Sequence, residues 1–258
     1  MLALAACQTA RPGFHGPDIL YVATPAHVGV EMLKVAGVTA ADVVYDLGSG
    51  DGRLVIAAAR DFGARGVGVE IDAPLVQESR EAAARAGVTD RATFLWQDLF
   101  VTDIGAATVV TLYLREDVNL RLRPKLLREL RPGTRVVSHD FGMGEWQPRH
   151  VLRARGPDRE HTIYFWLVPV GAEGTWSVTL RTPEGGTRDA TLRLTQRLEA
   201  LEGELHSAGA RTPITGGRVS GDEIAFIAGD TAWRGRVSGD RADGRAGDAL
   251  EWTAHRRR

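Results

Sequence analysis

The hydrophobic period of this chain changes once, near Val170–Gly174, and that change limits the possible folds more than any single residue does. Before it, short apolar runs alternate with segments of helical spacing. Val43–Leu47 runs into glycines and precedes a helical pattern over Arg53–Phe62, and Gly66–Ile71 precedes another over Pro74–Ala86. Phe94–Trp96 and Thr108–Leu114 are further short runs. Asp117–Leu130 sets Leu120, Leu127 and Leu130 at helical spacing until Pro132-Gly133 stops it, and Arg135–Ser138 starts another strand. Strand–helix alternation of this kind specifies a parallel sheet covered on both faces. Val151–Arg155 and Thr162–Val168 have no useful helix between them, so they are expected to close one sheet edge as an antiparallel pair.

After Gly174 the helical signal almost vanishes. Thr175–Arg181, Ala190–Gln196, Leu201–His206, Glu223–Ile227, Thr231–Val237 and Leu250–His255 alternate apolar with polar residues. The hexapeptide GRVSGD occurs at Gly217–Asp222 and Gly235–Asp240, with an echo at Gly244–Asp248. Ser-Gly-Asp between alternating segments is hairpin-turn chemistry, so an antiparallel meander or small barrel is expected. The fold class is α/β: a Rossmann-like, seven-stranded doubly wound sheet with an antiparallel edge over residues 19–170, then an all-β accessory domain over 171–258. Residues 1–18 are set apart as a leader.

That leader contains Leu4-Ala5-Ala6-Cys7, the order of a lipoprotein cleavage box, but only six residues precede the cysteine. A secretory signal needs a basic start and ~7–15 apolar residues. A lipid anchor at Cys7 therefore requires a start upstream of Met1; otherwise an Ala-rich leader happens to hold one Cys. The two readings place the protein at the cell envelope or in the cytoplasm. No apolar run reaches the ~18–20 residues of a membrane-spanning helix. Cys7 is the single cysteine, which excludes an intramolecular disulfide. The formal net charge of −1 supplies no basic field for a nucleic-acid backbone, so no nucleic-acid partner is expected. Metal-binding spacings such as HExxH and CxxC are missing, and no metal site is expected.

Asp46-Leu-Gly48-Ser-Gly50-Asp-Gly52-Arg53 sits where an apolar strand becomes a helix. A dinucleotide fingerprint would carry a third small residue where Arg53 stands, and a P-loop would end in Gly-Lys-Ser/Thr. An acid before the loop suits a cationic ligand group better than a pyrophosphate. S-adenosylmethionine (SAM) carries an ammonium and a sulfonium and no phosphate. Glu70 ends the second strand, where a carboxylate can hold both ribose hydroxyls, and Asp98 ends the third, where one can accept the adenine amino proton. Three acids on the carboxyl edge of an open α/β sheet lie where such sheets bind ligands.

With these residues in place, Ile19–Pro169 resembles the class I, seven-β-strand SAM-dependent methyltransferases. More narrowly it is similar to the archaeal broad-specificity protein lysine methyltransferases and their bacterial and mitochondrial relatives, distant kin of the non-SET histone lysine methyltransferases. Tyr21–Pro25 (YVATP), Val43–Arg53, Gly66–Asp72, Ala107–Leu114, Leu122–Leu130 and Arg131–Trp146 carry the likeness. The resemblance implies SAM as cofactor, with Tyr21, Thr24, Asp46, Gly48, Gly50, Glu70 and Asp98 around it, and a protein lysine side chain as acceptor. In the similar enzymes Tyr21, Thr24 and Pro25 fold over the amino-acid end of SAM.

Leu112-Tyr113-Leu114-Arg115 should lie beside the methyl group, where enzymes acting on nucleic-acid amines carry Asn/Asp-Pro-Pro-aromatic. Tyr113 is the candidate catalytic residue, edging an apolar slot that meets a substrate ammonium, or else a core-facing tyrosine. Asn119, the single asparagine, either hydrogen-bonds the loop or cofactor or caps a helix, with the cap slightly favoured. His139 and Asp140 are expected to point to opposite faces of a strand and so to form no relay. Two other readings stay open: a small-molecule methyltransferase, and an envelope lipoprotein using this fold for binding or scaffolding.

Overall fold

The structure is a computed structural model that describes residues 22–156 and 159–257; Tyr21, Cys7 and the leader lie outside them. The first half comprises α1 (Ala26–Val35), β1 (Val43–Leu47), α2 (Arg53–Phe62), β2 (Arg65–Glu70), α3 (Ala73–Ala86), β3 (Ala92–Trp96), β4 (Val109–Leu112), α4 (Glu116–Glu129), β5 (Arg135–His139), β6 (His150–Arg155) and β7 (Glu160–Leu167). The strands form one sheet in the order β3-β2-β1-β4-β5-β7-β6. β1 to β5 run parallel, and β7 pairs antiparallel with β5 and β6.

Side chains along each strand separate by face. Val44, Val109 and Val137 join Val28, Met32, Leu54 and Ala58 in one core under α1 and α2. Their neighbours Val110 and Val136 join Leu122, Leu126 and Trp166 under α4. This period-two partition is what a sheet covered on both faces requires. Helix α1 was not anticipated, although Val28, Met32 and Leu33 mark its buried face.

The second half comprises β8 (Gly174–Arg181), β9 (Thr187–Arg197), β10 (Ala200–Ser207), β11 (Ala210–Ser220), β12 (Glu223–Ala228), β13 (Thr231–Ser238), β14 (Arg241–Ala246) and β15 (Leu250–Arg256). They form a closed antiparallel barrel in chain order, with β15 returning to β8. Register shifts in β10 and β11 bend the wall. The GRVSGD repeat divides as its Ser-Gly-Asp reading implies, strand followed by turn. Gly217–Ser220 and Gly235–Ser238 belong to β11 and β13, and only the Gly-Asp pairs turn. A β carbon at Gly235 would stand 2.3 Å from the Trp252 ring, so the barrel interior dictates that glycine. Strands β11 and β14 carry no clear sequence signal because their alternation is diluted by glycine and arginine.

The β9–β10 turn joins the halves. Leu198, at φ 56°, packs against the core under α4, and Trp146 donates its indole N–H to Glu199. Gly221 of the first repeat accepts the Val170 amide at 2.6 Å.

Candidate active site

The carboxyl ends of β1 to β4 open onto a cavity of about 310 Å³ lined by Thr24, Asp46, Gly48, Glu70, Asp98 and Tyr113. Residues far apart in sequence thus converge on one edge of the sheet. Gly50 stands behind the wall: its amide donates to Glu70 Oε2 at 2.9 Å and its carbonyl accepts Ser79 Oγ at 2.9 Å.

The glycine loop turns because Gly48, Gly50 and Gly52 all hold positive φ, at 81°, 54° and 77°. A β carbon at Gly48 would also strike Leu114 at 2.9 Å. The loop's amides face inward. Gly48 and Ser49 donate to Val69 O at 2.8 and 3.0 Å, and Gly52 donates to Ser49 O at 2.9 Å. A phosphate cradle needs such amides aimed at the ligand; here protein oxygens take them, which suits a ligand without phosphate.

Asp46 is buried and accepts the Thr111 hydroxyl at 2.7 Å. Burial, opposed by that hydrogen bond and helped by the nearby charges of Glu70 and Asp51, pushes its carboxyl up to about 7. Among the described residues no cation pairs with this buried carboxyl, which fits a site completed by a cationic group. Glu70 is partly engaged by the backbone. Its Oε1 accepts the amides of Ile71 and Asp72 at 2.8 and 3.0 Å, and Oε2 accepts that of Gly50. Of ~four acceptor positions on a carboxylate, one remains, on Oε2. Asp98 lies two residues beyond β3 and accepts the Phe100 amide at 2.8 Å.

On the acceptor side, Tyr113 is the first residue beyond β4. Its ring stacks on His139 at 3.9 Å between centroids, 29° from parallel, so it is shared between the cavity and the histidine behind it. His139 and Asp140 do not diverge as expected. Asp140 adopts φ 62°, which ends the strand and swings its carboxylate back to within 3.2 Å of His139 Nε2. The register of β5 against β7 pairs His139 with Ile163 and brings His161 alongside, 3.0 Å from His139. No spacing pattern announces a partner 22 residues away. Burial lowers the His139 imidazole to about 4, so the ring is neutral.

Asn119 is not a cap. It lies inside α4, fully buried, and donates to Ser138 Oγ and to the carbonyls of Phe141 and Gly142 at 3.2–3.3 Å, pinning the chain that leaves β5.

A glycine turn on a parallel sheet, an acid at its head and loop amides taken by protein oxygens are what a class I SAM site calls for. Residues 46–150 match the ANTKMT methyltransferase domain family. Over 153 residues the chain is 44% identical to a protein-lysine N-methyltransferase of Saccharolobus islandicus, covering 59% of this chain and 95% of that enzyme. It is 38% identical over 116 residues to the adenine nucleotide translocase lysine N-methyltransferase of Mus musculus, but spans only half of it: 45% of this chain and 50% of that one. A Salinibacter ruber structure described as an RNA methyltransferase, in complex with S-adenosyl-L-homocysteine, is 54% identical over 57% of this chain and 94% of its own, with a TM-score of 0.55. The chain belongs to the class I SAM-dependent methyltransferase family, in the branch that includes the Saccharolobus enzyme. SAM is its methyl donor.

Proposed function

We propose that the protein methylates lysine side chains of a protein substrate. The observation that carries this reading is the match to a protein-lysine N-methyltransferase over nearly all of that enzyme's length. Residues 19–170 are read as the catalytic domain and 171–258 as an accessory domain.

Bound SAM supplies a methyl group already activated on a sulfonium. The chain's task is to hold, align and desolvate. Asp46 would offer the ammonium a counter-charge, the open position on Glu70 Oε2 would take a ribose hydroxyl, and Asp98 would accept from the adenine amino group. Gly48 would let the backbone approach, and Thr24 would cover the amino-acid end. A free lysine amine, with a pKa of ~10.4, must shed its proton before attack. Leu112, Leu114 and the Tyr113 ring form an apolar approach in which the charged amine is disfavoured. Its methylenes pack while its nitrogen meets the methyl carbon.

The Salinibacter relative, described as acting on RNA, favours a second reading with RNA as acceptor. Against it stand Tyr113-Leu114 in place of a polar base-binding sequence and the net charge of −1. Incubating the protein with radiolabelled SAM and a mixed lysate, followed by acid hydrolysis, decides. Label in methyl-lysine supports the proposal. Label confined to RNA supports the second reading, and label only in small metabolites removes both.

A further inference from the structure

Behind Tyr113 lies a group that methyl transfer leaves unused. His139 ends β5, Asp140 follows it at φ 62°, and His161 is the second residue of β7. Both histidines are fully buried in a protein that buries few charged side chains. His139 Nε2 stands 3.0 Å from His161 Nδ1 and 3.2 Å from Asp140 Oδ2, and the last two atoms are 3.9 Å apart. Three atoms so spaced have a common centre about 2.0 Å from each, the bond length of zinc to imidazole nitrogen and carboxylate oxygen, ~2.0–2.2 Å. We propose that His139, Asp140 and His161 bind a divalent transition-metal ion of the zinc class.

The donor set agrees with that class. Two imidazoles and a carboxylate suit borderline ions such as zinc or cobalt, whereas calcium and magnesium take oxygen. The outer partners agree as well. Thr24 Oγ1 lies 3.3 Å from His139 Nδ1, so it can accept that N–H and leave the Nε2 lone pair for an ion. Asp140 Oδ1 accepts the Thr162 amide at 2.8 Å, which orients the carboxylate with Oδ2 toward the histidines. Strain at Asp140 thus serves a purpose: an extended residue there would send its carboxylate to the other face.

Arg159 is the competitor. Its guanidinium donates to the same Asp140 Oδ2 at 2.5 Å from a half-exposed position. An ion must displace it from that oxygen, so the site holds either arginine or metal on Oδ2. Metal binding would tie the ends of β5 and β7 to Thr24 behind the ring of Tyr113, stiffening the acceptor wall without touching the substrate.

The test uses the full chain, stripped with a chelator and titrated with Zn²⁺ against a chromophoric competitor, and separately with Co²⁺ followed in the visible. One equivalent per chain is expected, with cobalt bands of a low-coordinate N/O site. His161→Ala and Asp140→Ala each weaken Zn²⁺ by roughly a hundredfold or more, while Arg159→Ala binds at least as tightly as the parent. SAM titration of each variant verifies its fold. Parent protein that takes up Zn²⁺ no more tightly than a SAM-binding His161→Ala variant overturns the proposal. So does a cobalt spectrum indistinguishable from the hexaaqua ion, which needs no variant at all.

Discussion

In the α/β half the protein buries Asp46, Thr111, Asn119, Ser138, His139 and His161, whereas the barrel buries Trp176, Trp233, Trp252, Phe226 and a set of leucines, valines and alanines. Among the described residues, every buried Ser, Thr, Asn, Asp, Lys and His falls between Thr24 and Thr162. Burying a polar group is costly unless it is hydrogen-bonded. The first half meets that condition largely through specific pairs such as Thr111–Asp46 and Asn119–Ser138, although Ser49 Oγ and Asn119 Oδ1 lack partners among the described residues. The barrel is organised by shape instead; among the described residues its Trp233 and Trp252 indole N–H groups also lack partners. Chemistry is built where polar groups are placed individually. Stability by packing alone asks only for volume.

The contrast breaks most visibly at Trp252. Trp252→Ala opens the barrel core and should cost about 3–5 kcal/mol, measured by urea unfolding, while SAM affinity by calorimetric titration stays within about twofold. Affinity lost in parallel with the barrel would make the halves one cooperative unit. A chain ending at Val170 asks the same question more sharply. It should fold and bind SAM, and its insolubility would place the barrel within the catalytic core.

The next effect belongs to the polar half. Asp46→Asn and Glu70→Ala should each weaken SAM by about 1–3 kcal/mol, the range for removing a buried polar partner. Asp46 adds a pH signature. Its carboxyl stands at about 7 in the free protein, above its ordinary value of 3.8. That difference stabilises the free protein below 3.8, and the stabilisation is lost as the pH rises through about 7. A cationic ligand reverses the preference, because it binds the ionised form. SAM affinity should therefore fall about tenfold from pH 8 to pH 6, and Asp46→Asn should flatten the profile. An identical slope in both proteins would remove Asp46 from the ammonium site.

Tyr113→Ala tests the acceptor wall. Turnover should fall roughly tenfold or more with SAM affinity nearly unchanged, since the ring aligns the nucleophile. Equal losses in both would place Tyr113 against the cofactor.

Sequence legibility follows the same divide. β1, α2 and the glycine loop were readable because period, turn residues and chemistry agree at Val43–Arg53. The convergence of Asp46, Glu70 and Asp98 was readable because parallel sheets place strand ends on one edge. The His139–His161 contact was not, because it depends on the antiparallel register of β5 and β7 and on a single positive φ at Asp140. Asn119 was legible only as a choice between loop contact and cap, because a lone Asn near a helix start serves either until the neighbouring loop is known. In the barrel, the approach of a neighbouring strand or ring excludes a side chain at Gly217 and Gly235, which no local sequence pattern announces.

The smallest effect is expected where the halves meet at the surface. Glu145 and Arg197 form an ion pair at 2.9 Å with side chains 64% and 78% exposed. Such pairs contribute ~0–1 kcal/mol and weaken further in salt. Docking instead depends on Leu198, inserted under α4, and on the Trp146–Glu199 hydrogen bond. Arg197→Ala should therefore change unfolding stability by less than about 1 kcal/mol, and the difference should shrink at high ionic strength. Leu198→Ala should cost more at any salt concentration, because it strips apolar contact from the core of the first half. If Arg197→Ala proved the more damaging of the two, the barrel would be held by surface charge, and the polar–apolar division between the halves would fail at the boundary that joins them.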